Sequence, residues 1–190
     1  MHHIIPLKQG FTCSVYTRAN EKYMKDIETP VYNQEVLQKI ADILIKNKHT
    51  LSVAESVTSG SIQTAISLAN GATAFFQGGL TAYQGEQKTR ILGVEPIHGK
   101  DNEFVNFQVA CEMAVGSNKF FLSNYAIAIT GFAQAIPGHE FKHPYAYYAI
   151  AKEDVVLTKG FVESKHIDPW RVQTDFTNQV LHAFGSLIDT

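Results

Sequence analysis

The sequence predicts an α/β fold, a sandwich of helices packed on a mixed sheet. Three observations predict it. Helix-like and strand-like segments alternate from Asn33 to the C-terminus. The run Tyr125–Thr130, Y-A-I-A-I-T, is apolar without interruption, as for a central strand buried on both faces. Two later strand-like segments are separated by Lys152-Glu153-Asp154, which suggests an antiparallel hairpin.

Taken in order, residues 1 to 32 show no sustained period. They contain a possible strand at Phe11–Thr17, end near Thr29-Pro30, and are expected to form an extension packed on one domain, 33–190. Residues Asn33–Lys46 carry Val36, Leu37, Ile40, Ile43 and Leu44 at spacings of three and four, an amphipathic helix with Asn33 as N-cap. A short strand is expected at Thr50–Ala54, a helix at Gly60–Leu68 and a strand-like segment at Phe75–Tyr83. A short polar helix follows at Gly85–Leu92, ended by Gly93. Residues Phe104–Phe120 read as a longer helix whose pattern Gly116 interrupts. The paired strands are Tyr145–Ala151 and Val155–Phe161, and Asp168–Ile188 closes the chain as a helix.

Bulk properties narrow the function. A chain of 190 residues suits one well-buried core. Sixteen basic against eighteen acidic residues leave a net charge of −2. That balance gives no electrostatic reason to expect nucleic acid or an anionic membrane as partner. No apolar run approaches the roughly 20 residues of a membrane span. The N-terminal sequence lacks the basic start and apolar middle of a signal peptide. Cys13 and Cys111 are the only cysteines, too few for a disulfide framework, so a reducing cytoplasm is expected. Cys111 falls on an apolar helical stripe and reads as a small core residue.

Residues His139–His143 spell H-E-F-K-H, the zinc-protease pattern. That chemistry needs both histidines on one helical face. Pro137-Gly138 before it and Pro144 after it argue against a helix, so a surface loop without metal is expected.

The stretch S-V-A-E-S-V-T-S-G, Ser52 to Gly60, concentrates four hydroxyls at a strand-to-helix turn. Thr58 or Ser59 would suit helix capping. A serine in such a turn also stands at the carboxyl edge of the sheet, where α/β folds bind ligands. Following N–H groups and the helix dipole can then stabilise an oxyanion. Serine needs a base, and no G-x-S-x-G elbow suggests a triad. A lysine with a lowered pKa can serve, and Lys88 follows a strand-like segment that bears Tyr83.

The segments V-A-E-S-V-T-S-G, F-F-Q-G-G-L-T-A-Y-Q-G-E-Q-K-T-R-I-L-G-V and A-I-A-I-T-G-F-A resemble the CinA C-terminal domain family in content, order and separation. The resemblance runs from about Asn33 to the C-terminus. Active members of that family are nicotinamide-nucleotide amidases of the PncC type. It implies a three-layer α/β/α sandwich with a mixed, mainly parallel sheet. It also implies a Ser/Lys amidohydrolase: Ser56 attacks the carboxamide of nicotinamide mononucleotide, Lys88 moves the proton, and Tyr83 orients or relays. The products are nicotinate mononucleotide and ammonia, with no cofactor and no metal. The implied substrate-binding residues are Glu55, Val57, Thr58, Ser59 and Gly60 of the turn, Thr130 and Gly131 after the central strand, and Arg171. Arg171 and Gln173 match an arginine and glutamine of the family's last helix, and the guanidinium suits a phosphate. The expected partner is a small pyridine nucleotide, with a homodimer as the expected assembly. Two other outcomes are a noncatalytic domain that binds a nucleotide or protein, and an amidase for another small substrate.

The chain departs from the family pattern at the ligand-facing loops. Val57 replaces a cysteine, Ser59 a glycine and Gly85 an asparagine. The family's G-A-V-S-E becomes E-F-V-N-F, Glu103–Phe107. Gln134 and Ala135 stand where Gly-Pro is usual. The proposed nucleophile and base are retained, and the walls around them are not.

Overall fold

The computed structural model describes residues 4–6, 12–14, 31–138 and 140–189. Strands β1 (Ile4–Pro6) and β2 (Thr12–Ser14) pair antiparallel, so the described part of the expected strand at 11–17 is a strand and has a partner. The remainder of the expected extension up to residue 30 lies outside the described residues. The elements that follow are α1 (Gln34–Asn47), β3 (Leu51–Glu55), α2 (Ser61–Ser67), a 3-10 turn (Ala72–Ala74) and β4 (Phe76–Thr81). Then come α3 (Gly85–Leu92), α4 (Pro96–Gly99), α5 (Phe107–Phe121), β5 (Tyr125–Phe132), β6 (Tyr145–Lys152), β7 (Val155–Glu163) and α6 (Pro169–Ile188).

Strands β3 to β7 form one sheet in the order β4-β3-β5-β6-β7. Strand β3 runs parallel to β4 and β5, and the pairs β5/β6 and β6/β7 are antiparallel. Only β6 therefore runs against the others, which gives the mixed, mainly parallel sheet. The β6–β7 hairpin turns at Glu153 and Asp154, with φ of 48° and 69°. Paired left-handed residues match the right-handed twist of the strands they join.

Helices cover both faces. On one, Leu37, Ile40 and Leu44 of α1 and Phe176, Val180 and Phe184 of α6 bury against Val53, Ile127 and Ile150. On the other, Val109 and Met113 of α5 and Leu92 of α3 bury against Ala54, Ala128 and Ala149. The small residues of β3, β5 and β6 let α5 lie close to the sheet. Gly116 has a similar role: any Cβ there would strike the Leu92 backbone at the end of α3. Its break in the hydrophobic pattern marks a close approach, not a helix end.

Asn33 caps α1 through the Val36 N–H at 3.1 Å, and Asn106 caps α5 through the Val109 N–H at 2.8 Å. Helix α5 therefore begins at Phe107, three residues later than the periodicity predicts. Glu103 and Phe104 instead take left-handed φ of 53° and 60°. Both are residue types that seldom adopt it. Cys111 is half-buried against the α3/α5 face, and desolvation raises its thiol pKa.

Residues 140–144 are not helical. Glu140 to His143 thus lack the one-turn spacing of a zinc helix, and His139 lies outside the described residues. Among the described residues no helix is long and apolar enough to cross a membrane.

Candidate active site

The four hydroxyls of the 52–60 stretch have different environments. Ser52 is fully buried beneath the sheet and bonds to Ser117 and Ser123 at 2.8 and 2.7 Å, which ties β3 to α5. Thr58 is buried, and its hydroxyl has no partner among the described residues. Ser59 has φ 52°, a left-handed conformation that glycine adopts at lower cost. Ser56 is 5% exposed and lines a cavity of about 500 Å³ at the carboxyl end of the sheet.

Capping of α2 corrects the sequence reading. Neither Thr58 nor Ser59 caps it: the N-cap position is Gly60, which has no side chain to do so. The work falls to Glu55, at the last position of β3 and fully buried. Its carboxylate accepts from the N–H groups of Gly60, Ile62 and Gln63 at 3.0, 3.2 and 2.9 Å. An acidic group there complements the helix dipole. The available sequence signal is an acid ending a strand before a helix with no acid in its first turn. Glu55 therefore braces the turn, with both carboxylate oxygens engaged by backbone N–H groups.

Two further bonds fix the turn. The Ser56 N–H donates to the Ile129 carbonyl at 3.1 Å, and Gln173 Nε2 donates to the Val57 carbonyl at 2.9 Å. Among the described residues, the N–H groups of Val57 and Thr58 have no hydrogen-bond partner. They are the donors next in sequence to Ser56.

Lys88 lines the same cavity and is 2% exposed. It sits in the first turns of α3, which the Phe76–Thr81 strand and the Ala82–Gln84 link carry to this edge. Its ammonium donates to the Tyr83 carbonyl at 3.3 Å and forms no ion pair among the described residues. Burial alone lowers its pKa from 10.5 to about 8. No direct hydrogen bond joins Ser56 Oγ to Lys88 Nζ among the described residues; the cavity lies between them. Tyr83 stands on the rim, 63% exposed, and holds Lys88 through its backbone rather than its phenol.

Phe104 was missed by sequence reasoning because its apolar character merges with the α5 pattern. Its ring lies against Gly85 and Gly99, and a Cβ on either would collide with it. Thr130 Oγ1 donates to the Phe104 carbonyl at 2.8 Å and so holds this loop over the cavity. Gly131 lines the cavity, where a Cβ would strike the β6 backbone.

Arg171 lies elsewhere. It lines a separate cavity with Trp170 and His166, 3.7 Å from the Asp168 carboxylate. Its helix neighbour Gln173 is the residue that reaches the Ser56 turn.

The family model for the CinA C-terminal domain matches residues 33–188. The chain belongs to the CinA C-terminal domain family. CinA-like proteins of Shewanella baltica and Fervidobacterium nodosum are 37% and 34% identical to it over 124 and 119 residues, 65% and 63% of this chain. Those matches span only 28% and 29% of the relatives' own length. A solved CinA-superfamily protein from Klebsiella pneumoniae superposes with TM-score 0.75 at 22% identity, covering 82% of this chain and 97% of that one. A competence or damage-inducible protein from Enterobacter asburiae gives 0.76 at 23%, covering 83% and 99%. At that identity the likeness establishes the fold. Within this CinA domain, Ser56, Tyr83, Lys88 and Gly131 meet at one cavity, Glu55 and Thr130 brace it, and Arg171 stands apart.

Proposed function

We propose that this CinA-family chain is an amidohydrolase working through Ser56 and Lys88, with a pyridinium carboxamide of the nicotinamide mononucleotide type as substrate. The observation that carries this reading is Lys88: a buried lysine that has no ion pair among the described residues, facing the cavity of a buried serine hydroxyl that has no hydrogen bond among them. An unpaired buried ammonium is costly, and its lowered pKa suits a general base.

Neutral Lys88 takes the Ser56 proton as Oγ attacks the carboxamide carbon. The Val57 and Thr58 N–H groups are the donors at hand for the resulting oxyanion. Collapse breaks the C–N bond, and the leaving nitrogen takes the proton back from Lys88 and departs as ammonia. Water, deprotonated by Lys88, then opens the acyl ester to give the acid and free Ser56. Oγ and Nζ must first draw within hydrogen-bond reach, a tightening common when substrate binds. Tyr83, at the rim, is positioned to touch the substrate body.

The test is ammonia release from nicotinamide mononucleotide by the parent protein, Ser56→Ala and Lys88→Met. Each variant is expected to lose about 10³-fold or more; equal rates in all three would reject the pair. A second reading, a noncatalytic binding domain, draws support from the missing Ser56–Lys88 bond. It predicts thermal stabilisation by the nucleotide without turnover.

A further inference from the structure

The chain from Ser56 to Ser59 forms a β-turn, closed by the Ser59 N–H on the Ser56 carbonyl at 3.2 Å. Its central peptide joins Val57 to Thr58. The two common turn types differ by rotation of that peptide, which exchanges the directions of its carbonyl and its N–H. No peptide bond among the described residues is cis, so the Val57 carbonyl and the Thr58 N–H point opposite ways.

Gln173 holds this peptide from outside the turn. Its Nε2 donates to the Val57 carbonyl at 2.9 Å, from a helix on the sheet face opposite α3 and α5. The Thr58 N–H, antiparallel to that carbonyl, is directed away from the Gln173 amide. The Ser56 cavity is lined by α3, the α4–α5 loop and the end of β5, and by no residue of α6. Thr58 does not anchor the peptide itself, since its buried hydroxyl has no partner among the described residues. Complete rotation would put Thr58 at positive φ, which a β-branched residue resists, and Thr58 is not among the positive-φ residues. What is left to Gln173 is the tilt of the peptide and its polarisation. A hydrogen bond accepted by the carbonyl strengthens the N–H of the same peptide as a donor.

Helix α6 is itself registered on this region. Thr177, one turn beyond Gln173, bonds to the Ser61 hydroxyl at the start of α2 at 2.8 Å, and Tyr32 bonds to the same hydroxyl at 3.1 Å.

We propose that Gln173 is a positioning residue for the reaction: through the Val57 carbonyl it aims and polarises the Thr58 N–H toward the oxyanion that forms beside Ser56. This rests on the amidohydrolase proposed above, because acyl transfer is what places negative charge there. Gln173 acts on the transition state through the peptide and does not touch the substrate for this purpose.

The experiment uses Gln173→Met, which keeps the length and removes the donor, with Gln173→Glu as a second variant. Ammonia release from nicotinamide mononucleotide is measured across pH, and the backbone amide signal of Thr58 is followed by NMR with isotope-labelled threonine. In both variants kcat should fall about tenfold or more with KM within about twofold, since one oxyanion donor is weakened but not removed. The midpoint of the pH profile should stay in place, because Lys88 is untouched, and the Thr58 amide signal should move. Thr177→Val removes a different bond between α6 and α2 and should leave kcat unchanged. The inference is overturned by kcat within about twofold of the parent, by a rise in KM alone, by an unmoved Thr58 signal, or by an equal fall in kcat for Thr177→Val. A parent protein that releases no ammonia rejects the amidohydrolase, and with it any oxyanion for Gln173 to serve; a moved Thr58 signal would then leave Gln173 as a structural brace.

Discussion

Replacing Lys88 by methionine should abolish turnover and yet stabilise the protein, and the gain should depend on pH in a calculable way. The side chain is 2% exposed and its pKa falls from 10.5 to about 8 through burial. At about 1.4 kcal/mol per pH unit, charging the buried amine costs the folded state about 3 kcal/mol at pH 7. The sign follows from proton counting. Between pH 8 and 10.5 the unfolded chain holds the proton and the folded chain does not, so this group's contribution makes stability rise with pH across that window. Lys88→Met removes the titration. At pH 7 the variant should be more stable than the parent by up to about 3 kcal/mol, less about 1 kcal/mol for the lost bond to the Tyr83 carbonyl. By pH 10 the difference should have moved toward the parent by about 2 kcal/mol. Denaturant unfolding of both proteins at pH 7 and pH 10 measures it, and other titrating groups cancel in the comparison. A stability difference unchanged between the two pH values, or one that grows in the variant's favour at pH 10, would refute the reasoning.

Further outcomes follow from the same geometry. If Lys88 is the base, kcat/KM should rise about tenfold between pH 7 and 9, as the neutral fraction climbs through a pKa of about 8; a flat profile counts against it. Glu55→Gln should cost about 1–3 kcal/mol in denaturant unfolding, because three amides lose a charged acceptor. Amide exchange at Gly60, Ile62 and Gln63 should speed up with it. Ser59→Gly should stabilise by up to about 1 kcal/mol, since φ 52° strains a side chain but not glycine; a loss of stability would mean that its hydroxyl matters more than its backbone. Gly85→Asn should destabilise by about 1–3 kcal/mol through collision with Phe104. Adding Phe104→Ala should recover at least about 1 kcal/mol of that in a double-mutant cycle.

Most of the scaffold was legible because periodicity reports burial. The alternation of helices and strands, the doubly buried central strand and the hairpin all arise from which faces meet the core, and the sheet reproduces them. Boundaries failed where backbone conformation, not polarity, sets them. Phe104 reads as helical from its apolar neighbours, yet Glu103 and Phe104 are left-handed, which their residue types disfavour. Glu55 was hidden for a different reason. It reaches amides up to eight positions ahead, and no local cap pattern describes a carboxylate acting from the preceding strand. Gln173 spans 116 residues to the Val57 carbonyl, a contact that only the closed fold creates. Residue type and turn position made Ser56 and Lys88 candidates, the family resemblance singled them out, and their shared cavity could not be read from the sequence.

The departures from the family pattern look independent in the sequence, and packing makes two of them one. An asparagine side chain at 85 and a phenyl ring at 104 would compete for the same space, since even a Cβ at 85 meets that ring. The change at 85 therefore permits the change at 104. Together they exchange a polar amide for an aromatic surface on the wall facing Ser56. The turn behind that wall is unaffected, because its bracing comes from Glu55, Ile129 and Gln173, none of which touches the exchanged pair through a hydrogen bond. On the proposed function, reaction chemistry and substrate recognition thus rest on separate parts of the fold: the turn can keep the Ser56 geometry while the loop between α4 and α5 redefines what reaches it.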